Sequence, residues 1–186
     1  GRYIIERVLG IPVAVELASE VNYYERTVAG GAAIALSQSG ETADTLRAMK
    51  KLKAAGCRLL AITNVVDSSA TRIANDIIYT RAGPEIGVAA TKSFIVQLMV
   101  LYAMAVLSWR GDARRLVDLV TELRRLPERL QRLLSEGEGI EECAGFLARF
   151  EDVFFIGRGI SFPVALEGAL KLKEISYIHA EGYAAG

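Results

Sequence analysis

Four short runs near the start of the chain, at 13–17, 32–36, 58–63 and 76–80, are strand-like and separated by longer stretches with helical spacing. Two of them, Ala33-Ile34-Ala35-Leu36 and Leu59-Leu60-Ala61-Ile62, are apolar at every position rather than at alternate ones. A strand that is apolar toward both sides must be covered on both sides, and helices supply that cover most simply around a parallel sheet. The intervening stretches fit. Residues 42–55 set Leu46 and Met49 against Lys50 and Lys53 at helical spacing, with Gly56 as a stop, and 69–75 predicts a shorter helix. The predicted class is α/β with interior parallel strands.

The length of 186 residues and an apolar share of 52% allow one full core, or one domain and part of a second. Lys plus Arg and Asp plus Glu are equal at 22 each, so no net field draws in nucleic acid or an anionic membrane, and any anion must be bound locally. Cys57, Cys143 and His179 lie too far apart in sequence for a zinc spacing, so neither a metal nor a disulfide framework is expected. The uncharged stretch 93–109 is as long as the shortest membrane spans, roughly 17 residues. Gln97 and Ser108 interrupt it and Lys92 and Arg110 bracket it, which favours a buried core helix over a span. Gly1-Arg2-Tyr3 lacks the apolar run of a signal peptide, which points to the cytoplasm, and the missing initiator Met suggests a piece of a longer protein.

After residue 80 comes an irregular segment, 81–90, of the kind that lines sites at strand exits, and then the long helix from near Thr91. From Ala113 the pattern becomes amphipathic, with Leu116, Leu119, Val120, Leu123 and Leu126 on one stripe and Pro127 bending it; 135–139 separates it from a further helix, 140–150. A fresh strand at 152–156, the turn Gly157-Arg158-Gly159 and a helix from Phe162 to about Tyr177 come next. Residues 1–19 and 168–186 repeat one another faintly, each a helix, an isoleucine (Ile11, Ile178) and a tail, Glu16-Leu17-Ala18-Ser19 in the first and Tyr183-Ala184-Ala185-Gly186 in the second. The expected organisation is therefore a first unit over 1–112 lacking its opening strand, a helical connector over 113–150, and the start of a second unit over 151–186. On that alignment the strand 152–156 is free to fill the vacant place in the first sheet.

The segment Ser37-Gln38-Ser39-Gly40-Glu41-Thr42 lies between a buried strand and a helix start. There the helical amides are unpaired and the helix dipole is positive, so an anion is welcome. Three hydroxyls and an amide side chain can donate to phosphate oxygens, and Gly40 lets the backbone approach. The plainer alternative is helix capping by Ser39 or Glu41, which needs only one such group. Nucleotide fingerprints do not fit, since there is no lysine-bearing phosphate loop and Phe162 stands where a third glycine belongs. The exit loops 64–69 and 85–91 are placed to close the same pocket, with Ser68 and Ser69 expected first as caps of the next helix. On the last helix, Glu167, Lys171 and Glu174 share one face. A solvated salt-bridged face has the same pattern; a carboxylate beside an ammonium is also a general base for a proton next to a carbonyl.

The strings Leu36-Ser37-Gln38-Ser39-Gly40-Glu41-Thr42-Ala43-Asp44-Thr45-Leu46, Glu85-Ile86-Gly87-Val88-Ala89 with Thr91-Lys92, and Ala165-Leu166-Glu167-Gly168-Ala169-Leu170-Lys171-Leu172-Lys173-Glu174-Ile175-Ser176-Tyr177 resemble the glucosamine-6-phosphate synthase family in its sugar-isomerase half. The resemblance implies two sugar isomerase (SIS) domains, each a flavodoxin-like parallel sheet between helices. It implies that Ser37, Gln38, Ser39 and Thr42 bind the phosphate of fructose 6-phosphate, that Val88 lines the sugar, and that Glu174 is the base, with Lys171 and Glu167 beside it. Ala90 stands where many relatives carry a serine. It further implies glucosamine 6-phosphate as product, ammonia from a separate glutaminase domain, no cofactor, and a homodimer. That domain, an earlier Cys-Gly-Thr-Ser turn, a later histidine motif and a Schiff-base lysine fall outside these residues, so binding without turnover is expected. Two other readings stay open, a regulatory SIS module that senses a sugar phosphate, and a deglycase or deaminase of amino-sugar or fructosamine phosphates.

Overall fold

The computed structural model describes residues 1–24 and 30–186. In chain order the elements are α1 Arg2–Leu9, α2 Ala18–Val21, β1 Ala32–Ser37, α3 Ala43–Ala54, β2 Arg58–Thr63, α4 Ser69–Ile73, β3 Asp76–Tyr79, α5 Lys92–Leu107, α6 Ala113–Arg124, α7 Leu126–Ser135, α8 Glu138–Leu147, β4 Asp152–Gly157, a short 3-10 turn Gly159–Ser161, α9 Phe162–Ser176 and β5 His179–Ala184. Strands β1, β2 and β3 form one parallel sheet in that order, and β4 and β5 form a second parallel pair.

Alternation along the strands explains the core. Ala33 and Ala35 of β1 and Leu59 and Ala61 of β2 turn to one side, where they meet Leu46, Met49 and Leu52 of α3 and Ala70 and Ile73 of α4. Small residues on β1 let α3 approach, and Met49 fills the remaining space at 1% exposure. A Schellman stop ends α3: Gly56, at φ 84°, donates to the Lys53 carbonyl and Cys57 to that of Leu52, so the chain turns straight into β2. The register sets Ser37 beside Thr63 and Thr63 beside Tyr79, so all three strands end together and their exit loops share one edge.

Three expectations need correction. Residues 13–17 form no strand; among the described residues Pro12 to Leu17 has no ladder partner, although Val13, Ala14 and Val15 have the composition of one. Strand β4 does not enter the first sheet; it pairs with β5 from Asp152–His179 to Gly157–Ala184 in a separate two-stranded sheet. The outer face of β1 is open: Ile34 and Leu36 are 39% and 44% exposed, while Ile62, next to Leu36 in the register, is fully buried. Strand β5, absent from the expected elements, falls in the second copy of the internal repeat. Helix α1 ends at Gly10 (φ 67°) and α9 at Tyr177 (φ 60°), both left-handed caps, at the same offset that relates Gly1 to Gly168. The segments beyond the two caps are therefore equivalent, and among the described residues only the second copy finds a neighbouring strand.

Helix α5 has 16 residues and packs on α1 and α6 as a core helix, with Leu101, Ala105 and Val106 buried. Among the described residues no helix is long and apolar enough to cross a membrane. Pro127 sits in the first turn of α7, where its missing N–H costs nothing, and the break between α6 and α7 falls there as expected.

Leu59→Ala, at a fully buried position, is expected to lower unfolding free energy by about 2–5 kcal/mol, against under about 1 kcal/mol for Leu36→Ala on the open face. Urea denaturation of the two variants checks this; equal losses would mean that the open face of β1 is covered.

Candidate functional site: the loop between β1 and α3

Ser37 is the last residue of β1 and is buried, while Gln38 and Ser39 are half-buried and Thr42 faces solvent. The Ser37 and Thr42 hydroxyls lie 3.4 Å apart across the bend, so the two ends of the loop converge. Within the loop Gly40 N donates to Ser37 Oγ at 3.0 Å and Glu41 N to Ser39 Oγ at 3.1 Å. These bonds use acceptor lone pairs and do not consume the hydroxyl protons, which a hydroxyl can rotate toward an incoming oxygen. Helix α3 begins at the N-cap Thr42 with no side chain capping it. The capping alternative therefore does not account for Ser39 or Glu41 at this helix.

Gly40 carries the bend. At φ 68° it occupies the left-handed region, and a β-carbon there would stand 2.2 Å from Ser68 Oγ and 2.9 Å from Thr63 Oγ1. Only glycine fits. Behind it the loop is tied down: Gln38 O accepts from Asn64 N at 3.0 Å and Thr63 Oγ1 at 3.3 Å, and Gly40 O accepts from Ala70 N at 3.0 Å.

Ser68 occupies the N-cap position of α4, but its hydroxyl makes no cap bond; it is buried and without a partner. The cap comes from Glu41 instead, whose carboxylate accepts from Ser69 N at 2.7 Å. That amide bond, with the Ser69 hydroxyl and the charge of Arg72, outweighs desolvation and holds the Glu41 carboxyl below the usual carboxylate range. The second exit loop is organised by Asn64, which accepts from Thr80 Oγ1 (3.0 Å) and Ala82 N (2.8 Å) and donates to Gly83 O (2.7 Å). In the third, Glu85 accepts from Thr91 Oγ1 (3.3 Å) and Ser93 N (3.0 Å) at the start of α5, while Val88 projects into solvent at 96% exposure beside buried Ala89.

On α9 the expected trio is joined: Lys171 Nζ lies 2.6 Å from Glu174 Oε2 and 3.5 Å from Glu167 Oε1, all three side chains partly buried. Partial burial pulls the Lys171 ammonium down, but the Glu174 hydrogen bond and the charges of both carboxylates prevail and raise it above the ordinary lysine value. A fixed ammonium beside a carboxylate can polarise a carbonyl or hydroxyl while the carboxylate takes a proton. The trio's hydrogen bonds and ion pairs are internal and do not reach residues 37–42. His179 stands apart, paired with Asp152 at 2.7 Å. Among the described residues no group of three His, Cys, Asp or Glu is placed to hold a metal.

Sequence reasoning missed Glu41 as the cap of α4 and Asn64 as the organiser of the second loop. A glutamate two residues before a helix core suggests a cap for its own helix, and only the tertiary fold reveals that it serves the next one.

The SIS domain family matches residues 1–107 and 146–186. A glutamine–fructose-6-phosphate aminotransferase (isomerising) of Methanosarcina acetivorans is 50% identical over 191 aligned residues, spanning 100% of this chain and 31% of that protein. The chain thus spans about a third of the length of the curated relatives it matches. The solved C-terminal domain of glucosamine-fructose-6-phosphate aminotransferase from Francisella tularensis is similar at TM-score 0.94 and 38% identity, over 98% of this chain and 53% of that one. Glucosamine-6-phosphate deaminase from Thermotoga maritima is similar at TM-score 0.79 and 25% identity, over 99% and 56%. The matched residues take in the three-stranded sheet with its exit loops and the β4–α9–β5 unit, and on this ground the chain belongs to the SIS domain family.

Proposed function

We propose that the chain is the sugar-phosphate-binding isomerase region of a glutamine–fructose-6-phosphate aminotransferase, with 1–112 as a first SIS unit, 113–150 as a helical connector and 151–186 as the opening of a second. The observation that carries it is the loop 37–42, where Ser37 and Thr42 hydroxyls converge above an uncapped helix start. Ser37, Gln38, Ser39 and Thr42 hold the phosphate of fructose 6-phosphate, and Val88 lies along the sugar.

In the whole enzyme, ammonia from a glutaminase domain adds to the C2 carbonyl of the open-chain sugar and water leaves. Glu174 then takes a proton from C1 and delivers it to C2, while the C1 hydroxyl gives up its proton and the imine nitrogen gains one, giving glucosamine 6-phosphate. Lys171 keeps Glu174 oriented and supplies positive charge beside the groups on C1 and C2 as electron density shifts between them, and Glu167 steadies Lys171. The site is completed in a cytoplasmic homodimer. The identity to the Methanosarcina protein supports this reading.

A sensing module needs no base, so the joined Glu167, Lys171 and Glu174 set argues against that reading. A deaminase acting on amino-sugar phosphates, suggested by the Thermotoga likeness, uses the same pocket in the reverse direction.

Calorimetric titration with fructose 6-phosphate is expected to show affinity reduced about 10- to 100-fold by Ser39→Ala or Thr42→Ala, the loss of one charge-assisted hydrogen bond. Gly40→Ala is expected to remove binding altogether. Unchanged affinity in all three contradicts the phosphate assignment. Glutamine replacing the residue that matches Glu174 in the full-length Methanosarcina protein is expected to cut turnover by at least about 100-fold. Intact turnover contradicts the role of base given to Glu174.

A further inference from the structure

A carboxylate inside a loop that receives a phosphate is out of place on electrostatic grounds, since like charges repel. Glu41 nevertheless sits between Gly40 and Thr42. Its carboxylate is turned to the neighbouring element and accepts from Ser69 N at 2.7 Å, the first residue of α4. A second bond runs parallel to it, Ala70 N to Gly40 O at 3.0 Å, and the Gly40 α-carbon is pressed against buried Ser68. Side chain and backbone of two consecutive loop residues thus grip two consecutive amides of one helix start.

Resting on the phosphate reading of this loop, we infer that Glu41 is a positioning residue that sets the hydroxyls and amides of 37–42 for the phosphate by anchoring the loop to α4. Two helix starts face the same sheet edge, and both present unpaired amides. Glu41 takes the Ser69 amide and Gly40 O the Ala70 amide, so the start of α4 is engaged by the loop, whereas the start of α3 has no side-chain cap. The α4 amides absorb the carboxylate's charge, which reduces its repulsion of the ligand. Among the described residues Glu41 is the side chain that caps α4, because the Ser68 hydroxyl makes no bond to it. Ser37 and Ser39 take their orientation from Gly40 N and Glu41 N, so a loop freed from α4 loses the alignment of both hydroxyls.

Simple charge repulsion and positioning predict opposite signs. Removing a negative charge near a phosphate strengthens binding if Glu41 acts only through its field, and weakens it if Glu41 holds the loop. The test is calorimetry of the 186-residue chain and its Glu41→Ala and Glu41→Gln variants with fructose 6-phosphate, with thermal unfolding of each in parallel. Glu41→Ala is expected to weaken binding by about tenfold or more, and Glu41→Gln by less, because its amide oxygen still accepts from Ser69 N. Tighter or unchanged affinity in the variants, including a case in which only the unfolding midpoint falls, overturns the inference while leaving the loop assignment intact. Should Glu41→Ala not fold, the sign of the Glu41→Gln change decides. Absence of binding by the unsubstituted chain overturns the loop reading itself and this inference with it.

Discussion

The geometry of the site depends on a glycine pressed against a buried serine at the edge of a parallel sheet. Gly40 can approach Ser68 only without a β-carbon and only in the left-handed conformation, and that bend folds Ser37 and Thr42 toward each other. The parallel register makes the bend useful, because it ends β1, β2 and β3 at one level and gives the loop neighbours on the β2 side. Asn64 and Thr63 hold Gln38, and Ser69 and Ala70 hold Glu41 and Gly40. A rigid rim of donors around an open helix start is suited to a dianionic ester, whose charge is met by dipoles and hydroxyls with no lysine among residues 37–42.

The chain also displays one structural unit twice. Each copy is a helix closed by a left-handed residue and continued by a further segment, and the two fare differently. The second copy pairs through β4 and β5, whereas 12–17 in the first has no ladder neighbour among the described residues. The open face of β1 at Ile34 and Leu36 belongs to the same half of the fold. Apolar sequence is not sufficient for a strand, and β5 with its His179 and Glu181 shows that it is not necessary either, since a strand exists only by virtue of its partner.

That contrast explains why some elements are legible in the sequence and others are not. Strands β1, β2 and β3 are legible because their apolar runs are continuous and their helices carry stop signals such as Gly56. Residues 13–17 mislead because composition does not report pairing. The loop 37–42 is legible from its hydroxyls, its glycine and its place after a buried strand. Glu41 and Asn64 are not, because each acts on an element distant in sequence: Glu41 on α4, and Asn64 on the turn after β3. On α9 the spacing of Glu167, Lys171 and Glu174 foretells their ion pairs, while their partial burial, which separates a shielded trio from a solvated face, comes only from packing.

The most direct test of the central claim is a nuclear magnetic resonance titration of the isotopically labelled chain with fructose 6-phosphate and, separately, with fructose. The account predicts that the phosphate ester shifts the backbone amides of Ser39 to Thr45, at the loop and the first turn of α3, and that the unphosphorylated sugar leaves them in place. Equal shifts from both sugars, or shifts confined to residues away from this loop, would contradict it.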